Sequence, residues 1–467
     1  MAMNSNLSYF MERVQGVSSN IFRLEPQNSS RATPNSQIRF NLPSNCLLNF
    51  RSLRFMANAT TEDSAADGGA RLPPKIDSLI TRYEILAGGV QISQGFDLYN
   101  VFVQAKAVLM GSTCDATLGH PEMVRQKSYV DGKEIATTAN EVYPSTNGAT
   151  QFGIQHFEGF LGSCEPGVLD TSLMPDLTLI FYVAGREVLS SVAGVTLKGT
   201  PASTTDITND GTGNVNFSLN NIRLNLEVIG LASAVYDELL SRRIADVGFV
   251  EIPFKSYQSF IDSHTGATKF SISCQSLDRI WVVQRKAGYD TIGGAVVIEG
   301  YKKAGCFTAP DVPTNLNQIA QDIGVPQYEL GGVLRTNGEK MTTKYFNMTL
   351  NEGATPATFQ MQLNGSFLPQ VQMNAEEMYA LSMNACDRSY NPMLTLDQYR
   401  KNYFVQCYRT CLPGGSTRSL SGLDTRGINL TASSNTTNVT PNSNVVVFCE
   451  MTSSLRLGAQ RSLEVIL

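Results

Sequence analysis

Gln37-Ile-Arg-Phe40 through Leu47-Leu-Asn-Phe50-Arg-Ser-Leu53 returns, in pattern, as Thr268-Lys-Phe270 through Leu277-Asp-Arg-Ile280-Trp-Val-Val283. At a constant offset of 230 the apolar positions 40, 47, 50 and 53 fall on 270, 277, 280 and 283. Apolar residues alternating with polar ones read as strands with one buried face. Two more matches follow in the same order. Tyr83-Glu-Ile-Leu86-Ala-Gly88 with Val90-Gln91 resembles Phe359-Gln-Met-Gln-Leu363-Asn-Gly365 with Phe367, a strand, a glycine turn and a returning strand. A helically spaced segment follows each, Phe96 to Met110 and Asn374 to Met383. Finally, Gly167-Val-Leu169-Asp170-Thr171 stands before the strand pattern 177–183, and Gly422-Leu423-Asp424-Thr425 before Val445 to Phe448. Three matches in order read as two copies of one β-domain.

Working outward, spacing locates what differs between the copies. Phe40 to Gly88 is 48 residues and Phe270 to Gly365 is 95, so the second copy carries about 47 more, near 300–345. Three stretches read as polar surface loops, 57–73, 194–214 and 429–444. Residues 231–246 read as a helical connector, and Gly248-Phe-Val-Glu-Ile-Pro-Phe254 opens the second copy. The expected organisation is an N-terminal arm (1–35), a first β-domain (36–230), the connector (231–246) and a second β-domain (247–467). Many short strands, long loops and a helix after the hairpin suit a Greek-key sandwich or jelly roll in each copy.

Composition agrees with a strand-rich chain. Charged residues make up 16% of the 467, with 36 Lys+Arg against 41 Asp+Glu, a net charge of −5. No basic excess is available to neutralise nucleic acid, and no direct sequence-specific nucleic acid binding is expected. No apolar run reaches the ~18 residues of a membrane span, and Met1 to Arg13 does not read as a signal peptide. The nine cysteines are scattered, several within apolar runs such as Val445-Val-Val-Phe-Cys449, and read as reduced, buried thiols. Nine Asn-x-Ser/Thr sites occur in a chain rich in those residues and weigh little by themselves.

Candidate chemistry is thin. His120, His156 and His264 are isolated, with no HxH, HxxH or HExxH spacing, so the clustered ligands of a cupin metal site are missing. Glu376-Glu377 reads as the acidic start of a helix. Gly88-Gly89, Gly293-Gly294 and Gly331-Gly332 read as turns. Arg242-Arg243 sits among Asp237, Glu238 and Asp246 as a solvated helix end. Trp281 in the strand Arg279 to Val283 reads as core or intersheet packing, with a sugar-stacking platform as the sharper alternative. The expectation is no enzyme, with no catalytic, cofactor-binding or metal-ligating residues and no cofactor.

These residues resemble those of the double jelly-roll major capsid proteins of tailless icosahedral double-stranded DNA viruses, of the polinton-like virus, virophage and nucleocytoplasmic large DNA virus type. The carriers are Phe40-Asn-Leu-Pro-Ser-Asn45 with Leu53, the Leu86-Ala-Gly-Gly-Val-Gln-Ile92 hairpin with Tyr99-Asn100 on its helix, Leu169-Asp170-Thr171, and the stretch from Ile222-Arg-Leu-Asn-Leu to 254. The resemblance covers most of 36–460 and implies an all-β chain of two tandem eight-stranded antiparallel jelly rolls with short inserted helices. It further implies a structural protein of the virion shell, made in the host cytoplasm, whose homotrimers form pseudo-hexagonal capsomers that tile the capsid. Partners would be other copies of the chain, penton and minor capsid or cement proteins, or an internal membrane near the N-terminal arm. The long insertion would contribute to an outward tower. Few charges would suit surfaces that are buried against other copies. Two rivals remain open on the residues alone: a glycan-binding or adhesive β-sandwich, and a hydrolase on a jelly roll with paired carboxylates.

Overall fold

Alternation in the primary sequence becomes alternation in burial: in Gln37–Asn41, Ile38 and Phe40 are buried and the other three residues are exposed. The computed structural model describes residues 17–62, 70–71, 76–93, 96–110, 150–191, 195–198, 206–209, 216–231, 234–263, 266–286, 296–297, 342–346, 348, 350, 355–388, 396, 399–400, 404–414, 419–426, 430–439, 443–458 and 461–466. The expected insertion near 300–345 falls almost wholly outside these residues, as do His120, His264, Gly293-Gly294 and Gly331-Gly332.

Sixteen strands build the body. The first eight are β1 (Val17–Leu24), β2 (Gln37–Asn41), β3 (Leu47–Glu62), β4 (Ile80–Ala87), β5 (Val90–Gln91), β6 (Thr150–Ile154), β7 (Leu177–Val183) and β8 (Asn216–Leu231). The second eight are β9 (Phe249–Ser263), β10 (Ala267–Ile272), β11 (Leu277–Lys286), β12 (Thr358–Leu363), β13 (Ser366–Met373), β14 (Val405–Arg409), β15 (Leu430–Thr437) and β16 (Ser443–Gly458). The first set forms one sheet in the order β1-β8-β3-β6 and a facing sheet in the order β2-β7-β4-β5. Adding eight to every label gives the second set, β9-β16-β11-β14 and β10-β15-β12-β13. All these pairings are antiparallel. The chain is therefore two tandem eight-stranded jelly rolls of one topology, each a closed pair of sheets with a shared apolar interior.

Four helices are placed on this frame: α1 (Tyr99–Met110), α2 (Phe160–Ser163), α3 (Ala234–Val247) between the rolls, and α4 (Ala375–Ala385). α1 and α4 occupy equivalent places after the β4–β5 and β12–β13 hairpins. Those hairpins turn on Gly88-Gly89 (φ 56 and 89) and Asn364-Gly365 (φ 46 and 88). Two successive positive φ values are what a tight turn between right-twisted strands requires. α4 starts with a capping box in which the Asn374 side chain accepts from Glu377 N (2.9 Å) and Glu377 Oε2 accepts from Asn374 N (3.0 Å). Glu377 is thereby accounted for as a helix cap.

The duplicated Leu-Asp-Thr motif has one structural job in both rolls. Thr171 Oγ1 accepts from Cys46 N (3.1 Å) and donates to Cys46 O (2.8 Å). Thr425 Oγ1 does the same with Cys274 N (2.8 Å) and Cys274 O (3.2 Å). The preceding aspartates, Asp170 and Asp424, accept from the backbone N–H two residues on, at 2.9 and 3.0 Å. Each clasp pins the entry of a central strand, β3 or β11. The described cysteines, 46, 164, 274, 386, 407, 411 and 449, are free thiols, five of them buried. Burial pushes the Cys164 thiol up to about 12.

Several expectations need correction. The first roll starts before residue 36, because β1 pairs with β8 residue by residue from Val17↔Leu231 to Leu24↔Leu224. Its described side chains lie mostly in solvent on both sides, so Val17-Ser-Ser-Asn-Ile-Phe-Arg-Leu24 shows no burial pattern in the sequence. The expected loop at 57–73 begins as strand, since β3 continues to Glu62 with Ala57 and Ala59 buried. Within 194–214, Val195–Lys198 and Asp206–Asn209 pair as a hairpin. The largest correction is at 429–444. Leu430–Thr437 is β15, an internal strand of its sheet, with Ala432, Ser434 and Thr436 buried. The counterpart of β7 is therefore β15, and the Val445 run belongs to β16, the counterpart of β8. With that change Asp170 to Leu177 is 7 residues and Asp424 to Leu430 is 6, so the apparent extra loop disappears.

Candidate assembly interface

The two rolls meet along a buried seam built from one helix and one sheet face. α1 of the first roll lies on the outer face of sheet β9-β16-β11-β14. In an antiparallel sheet directly paired residues share a face. Tyr257↔Glu450, Glu450↔Arg279 and Phe448↔Trp281 are such pairs, so Tyr257, Glu450, Arg279, Phe448 and Trp281 all point toward α1. Phe96 stacks on Tyr257 with centroids 4.7 Å apart. Phe102 lies 4.7 Å from Tyr257, 5.1 Å from Phe448 and 5.6 Å edge-on from Trp281. Beside α1, the α2 residue Phe160 packs edge-on against Phe254 of β9 at 5.0 Å. Backbone and hydroxyl bonds sew the same edge, Glu165 N to Pro253 O (3.0 Å) and Lys255 N to Ser163 Oγ (2.7 Å). Aromatic pairs of this geometry add to their burial energy.

A charge network runs through the seam. Lys106 Nζ on α1 bonds Glu158 Oε2 at 2.6 Å, and the Tyr257 hydroxyl donates to the same oxygen at 3.3 Å. Glu450 Oε1 pairs with Arg279 at 2.9 Å while its Oε2 accepts from the Trp281 indole at 3.2 Å. Arg279 also reaches Asp387 (3.0 Å) and the carbonyl of Ala385 at the end of α4 (2.9 Å), and Arg409 holds Asp387 at 2.6 Å. Burial opposes the charge on Glu450, but Arg279, Lys106 and Lys255 outweigh it and hold its carboxyl below the ordinary value. Burial likewise opposes the Lys106 cation, and Glu158 and Glu450 outweigh it and raise its pKa. Deeper in the second roll, Asp278 accepts from Lys255 Nζ and Thr452 Oγ1, each at 2.6 Å. Each of these buried charges has a partner, as desolvation requires.

The equivalent row of the first roll is less buried: Ile21 is exposed and Asn49 and Glu227 are partly so. Across β1, β8 and β3 that row is Ile21↔Glu227↔Asn49, the positional match of Tyr257↔Glu450↔Arg279. Ile21 is 71% exposed where Tyr257 is 1% exposed. Glu227 accepts from Ser19 Oγ (2.6 Å) and Asn49 Nδ2 (2.7 Å), which lower its pKa. The helices differ in the same way. No described side chain of α1 is exposed, whereas α4 exposes Glu376, Glu377, Ala380 and Asn384.

Trp281 is buried on the seam and packs edge-to-face with Phe102, leaving no open ring face for a sugar. His156 is exposed just before α2, and Arg242 is exposed on α3. Among the described residues no group of three or more His, Cys, Asp or Glu side chains is placed to hold a metal ion. None of their helices is long and apolar enough to cross a membrane. The seam residues Phe96, Phe102, Lys106, Glu158, Tyr257 and Glu450 were not singled out in the sequence. One signal was available: Lys106 interrupts an apolar helix, and Glu450 directly follows the run Val445-Val-Val-Phe-Cys449.

Known proteins give a fold match without a sequence match. No family model matches the chain, and no curated protein does. Among solved structures, PBCV-1 VP54, fitted into a reconstruction of the virophage Sputnik, superposes with a TM-score of 0.54 at 14% identity, covering 99% of both chains. The quasi-atomic PBCV-1 virus capsid superposes at 0.51 and 12% identity, again over 99% of both. The Faustovirus major capsid protein is similar at 0.49 and 9% identity, over 98% of this chain and 93% of its own. The chain shares the double jelly-roll fold of the two PBCV-1 structures over 99% of its length.

Proposed function

We propose that the chain is a structural, non-enzymatic major capsid protein whose homotrimers form pseudo-hexagonal capsomers of an icosahedral virion shell. The observation that carries this is the end-to-end likeness to a virus capsid protein together with the twofold internal repeat. Two rolls of one topology per chain, times three chains, give six similar units, and six units approximate the hexagon that tiles a flat facet. The location would be the capsid, and the partners would be further copies of the chain together with penton and minor capsid or cement proteins. Gel filtration with light scattering and negative-stain imaging tests the reading. Particles of three times the 50.9 kDa chain mass with a hexagonal outline are expected. A stable monomer that binds glycans would contradict it and favour an adhesive β-sandwich.

A further inference from the structure

Asp278 is placed by an irregularity in its strand. β11 pairs with β16 at Leu277↔Met451 and again at Arg279↔Glu450, so Asp278 is an extra residue between two ladder pairs. A bulge of this kind re-aims the side chain it carries. Here the carboxylate meets the Lys255↔Thr452 pair of β9 and β16. Lys255 Nζ lies 2.6 Å from Asp278 Oδ2 and 2.8 Å from Thr452 Oγ1, and Thr452 Oγ1 donates to the same Oδ2 at 2.6 Å. Ser276 Oγ donates to the other oxygen, Oδ1, at 2.9 Å. In the first roll the matching pair is Ser19↔Ile229, and Leu48 stands in register opposite Val228 where the second roll has the bulged aspartate. The topology that both rolls share therefore does not require this cluster.

Little water reaches the cluster. The Asp278 side chain is 2% exposed and that of Lys255 19%, and Ser276 and Thr452 are buried. The chain just before the second clasp closes over the carboxylate at Gly422, whose N–H donates to Ser276 Oγ at 3.0 Å. A side-chain carbon at Gly422 would come 2.5 Å from Asp278 Oδ1, so the absence of one is what lets the backbone approach this far. An ammonium and a carboxylate held in such a site have given up the hydration that stabilises them as separate ions.

We propose that Lys255 and Asp278 condense to an intramolecular amide, a covalent staple that ties β9 to β11 across β16. The ion pair contains every atom of the product: ammonium and carboxylate become one amide and one water, and no oxidant, nucleotide or metal is consumed. Lys255 Nζ forms the new bond to Asp278 Cγ, and the bond from Cγ to Oδ2 breaks. Thr452 Oγ1, bonded to both Nζ and Oδ2, passes two protons from Nζ to Oδ2, which leaves as water. Ser276 Oγ donates to Oδ1, where negative charge gathers as Cγ becomes tetrahedral, and Oδ1 stays as the amide oxygen. The fold holds amine and carboxyl in contact, which replaces a bimolecular encounter by a step within one molecule. The staple forms within one chain and is independent of the capsomer reading.

The test is mass spectrometry of the purified full chain, intact under denaturing conditions and again after digestion with trypsin. The wild-type chain should weigh one water less than its sequence. Trypsin should fail to cut after Lys255, and the segments holding Lys255 and Asp278 should emerge as one branched peptide. Thr452→Val removes the relay hydroxyl at nearly constant shape and should restore both the missing water and the cut after Lys255. Unchanged emission of the single tryptophan, Trp281 on the seam, reports that this variant is folded. A wild-type chain of full sequence mass that is cut after Lys255 would overturn the proposal. A Thr452→Val chain cross-linked as completely as the wild type would overturn the relay.

Discussion

The sheet β9-β16-β11-β14 buries Tyr257 and Trp281 on its outer face, whereas its counterpart β1-β8-β3-β6 exposes Ile21 and Arg51 on the same side. The two sheets share strand order and even the position of a central glutamate, Glu450 in one and Glu227 in the other, although beyond that row β3 bulges against β8 while β11 runs on in register with β16. What differs is the company. Glu450 sits among Arg279, the Trp281 indole and the Lys106 charge, whereas Glu227 is held by a serine and an asparagine at the surface. Where a sheet is covered, its outward positions have become aromatic and ion-paired. Where it is open in the single chain, the same positions are Ile21, Asn49 and Arg51. Topology is therefore set by the inward residues, which both rolls share, and docking by the outward residues, which they do not.

The contrast predicts unequal effects for matched substitutions. The largest is expected at Trp281 and Arg51, its match at the sequence offset of 230. Trp281→Ala empties a site packed against Phe102 and should cost about 3–5 kcal/mol, whereas Arg51→Ala should leave the stability of the monomer unchanged. Urea unfolding measures both, and equal costs would erase the contrast. Glu450→Ala comes next. It strands Arg279 in a buried site and should cost about 3–5 kcal/mol, while Glu227→Ala should leave the melting temperature unchanged. Glu450 also gives the seam an acid limb. Its carboxyl is held below the ordinary value, so its contribution is complete above about pH 4.3 and is lost as pH falls through the lowered value. Trp281 emission should shift toward that of exposed tryptophan over that acid range, and Glu450→Gln should flatten the dependence. The smallest effect tests what the rolls have in common. Thr171→Val and Thr425→Val each remove the clasp on a cysteine backbone and should cost about 1–3 kcal/mol, with the two values alike. A large difference between them would show that the clasps are not equivalent.

The inward pattern was the legible part of the sequence. Phe40, Leu47, Phe50 and Leu53 with their partners at 270, 277, 280 and 283 read directly as duplicated strands because one face is buried in each copy. The hairpins at Gly88-Gly89 and Asn364-Gly365 read as turns because glycine and asparagine tolerate positive φ. β1 was illegible for the opposite reason: with both of its sides open in the chain, nothing requires its residues to alternate. β15 was illegible because Ser434 and Thr436 are small enough to be buried in a strand while looking like loop residues. The seam was hidden because Phe96 and Phe102 on a helix look the same whether they face their own core or a neighbouring domain. Low charge content suits a surface kept for burial. That describes the seam, where the few charges are paired. It does not describe the outer face of the first roll, where Arg23, Arg51, Arg54 and Arg223 gather.

The most direct test is a cryo-electron microscopy reconstruction of the purified, assembled particle. The expected map shows three copies in a ring with a hexagonal outline, and within each copy α1 lying over Tyr257, Glu450 and Arg279. A map in which α1 is lifted from that row, or a preparation containing monomers alone, would contradict it.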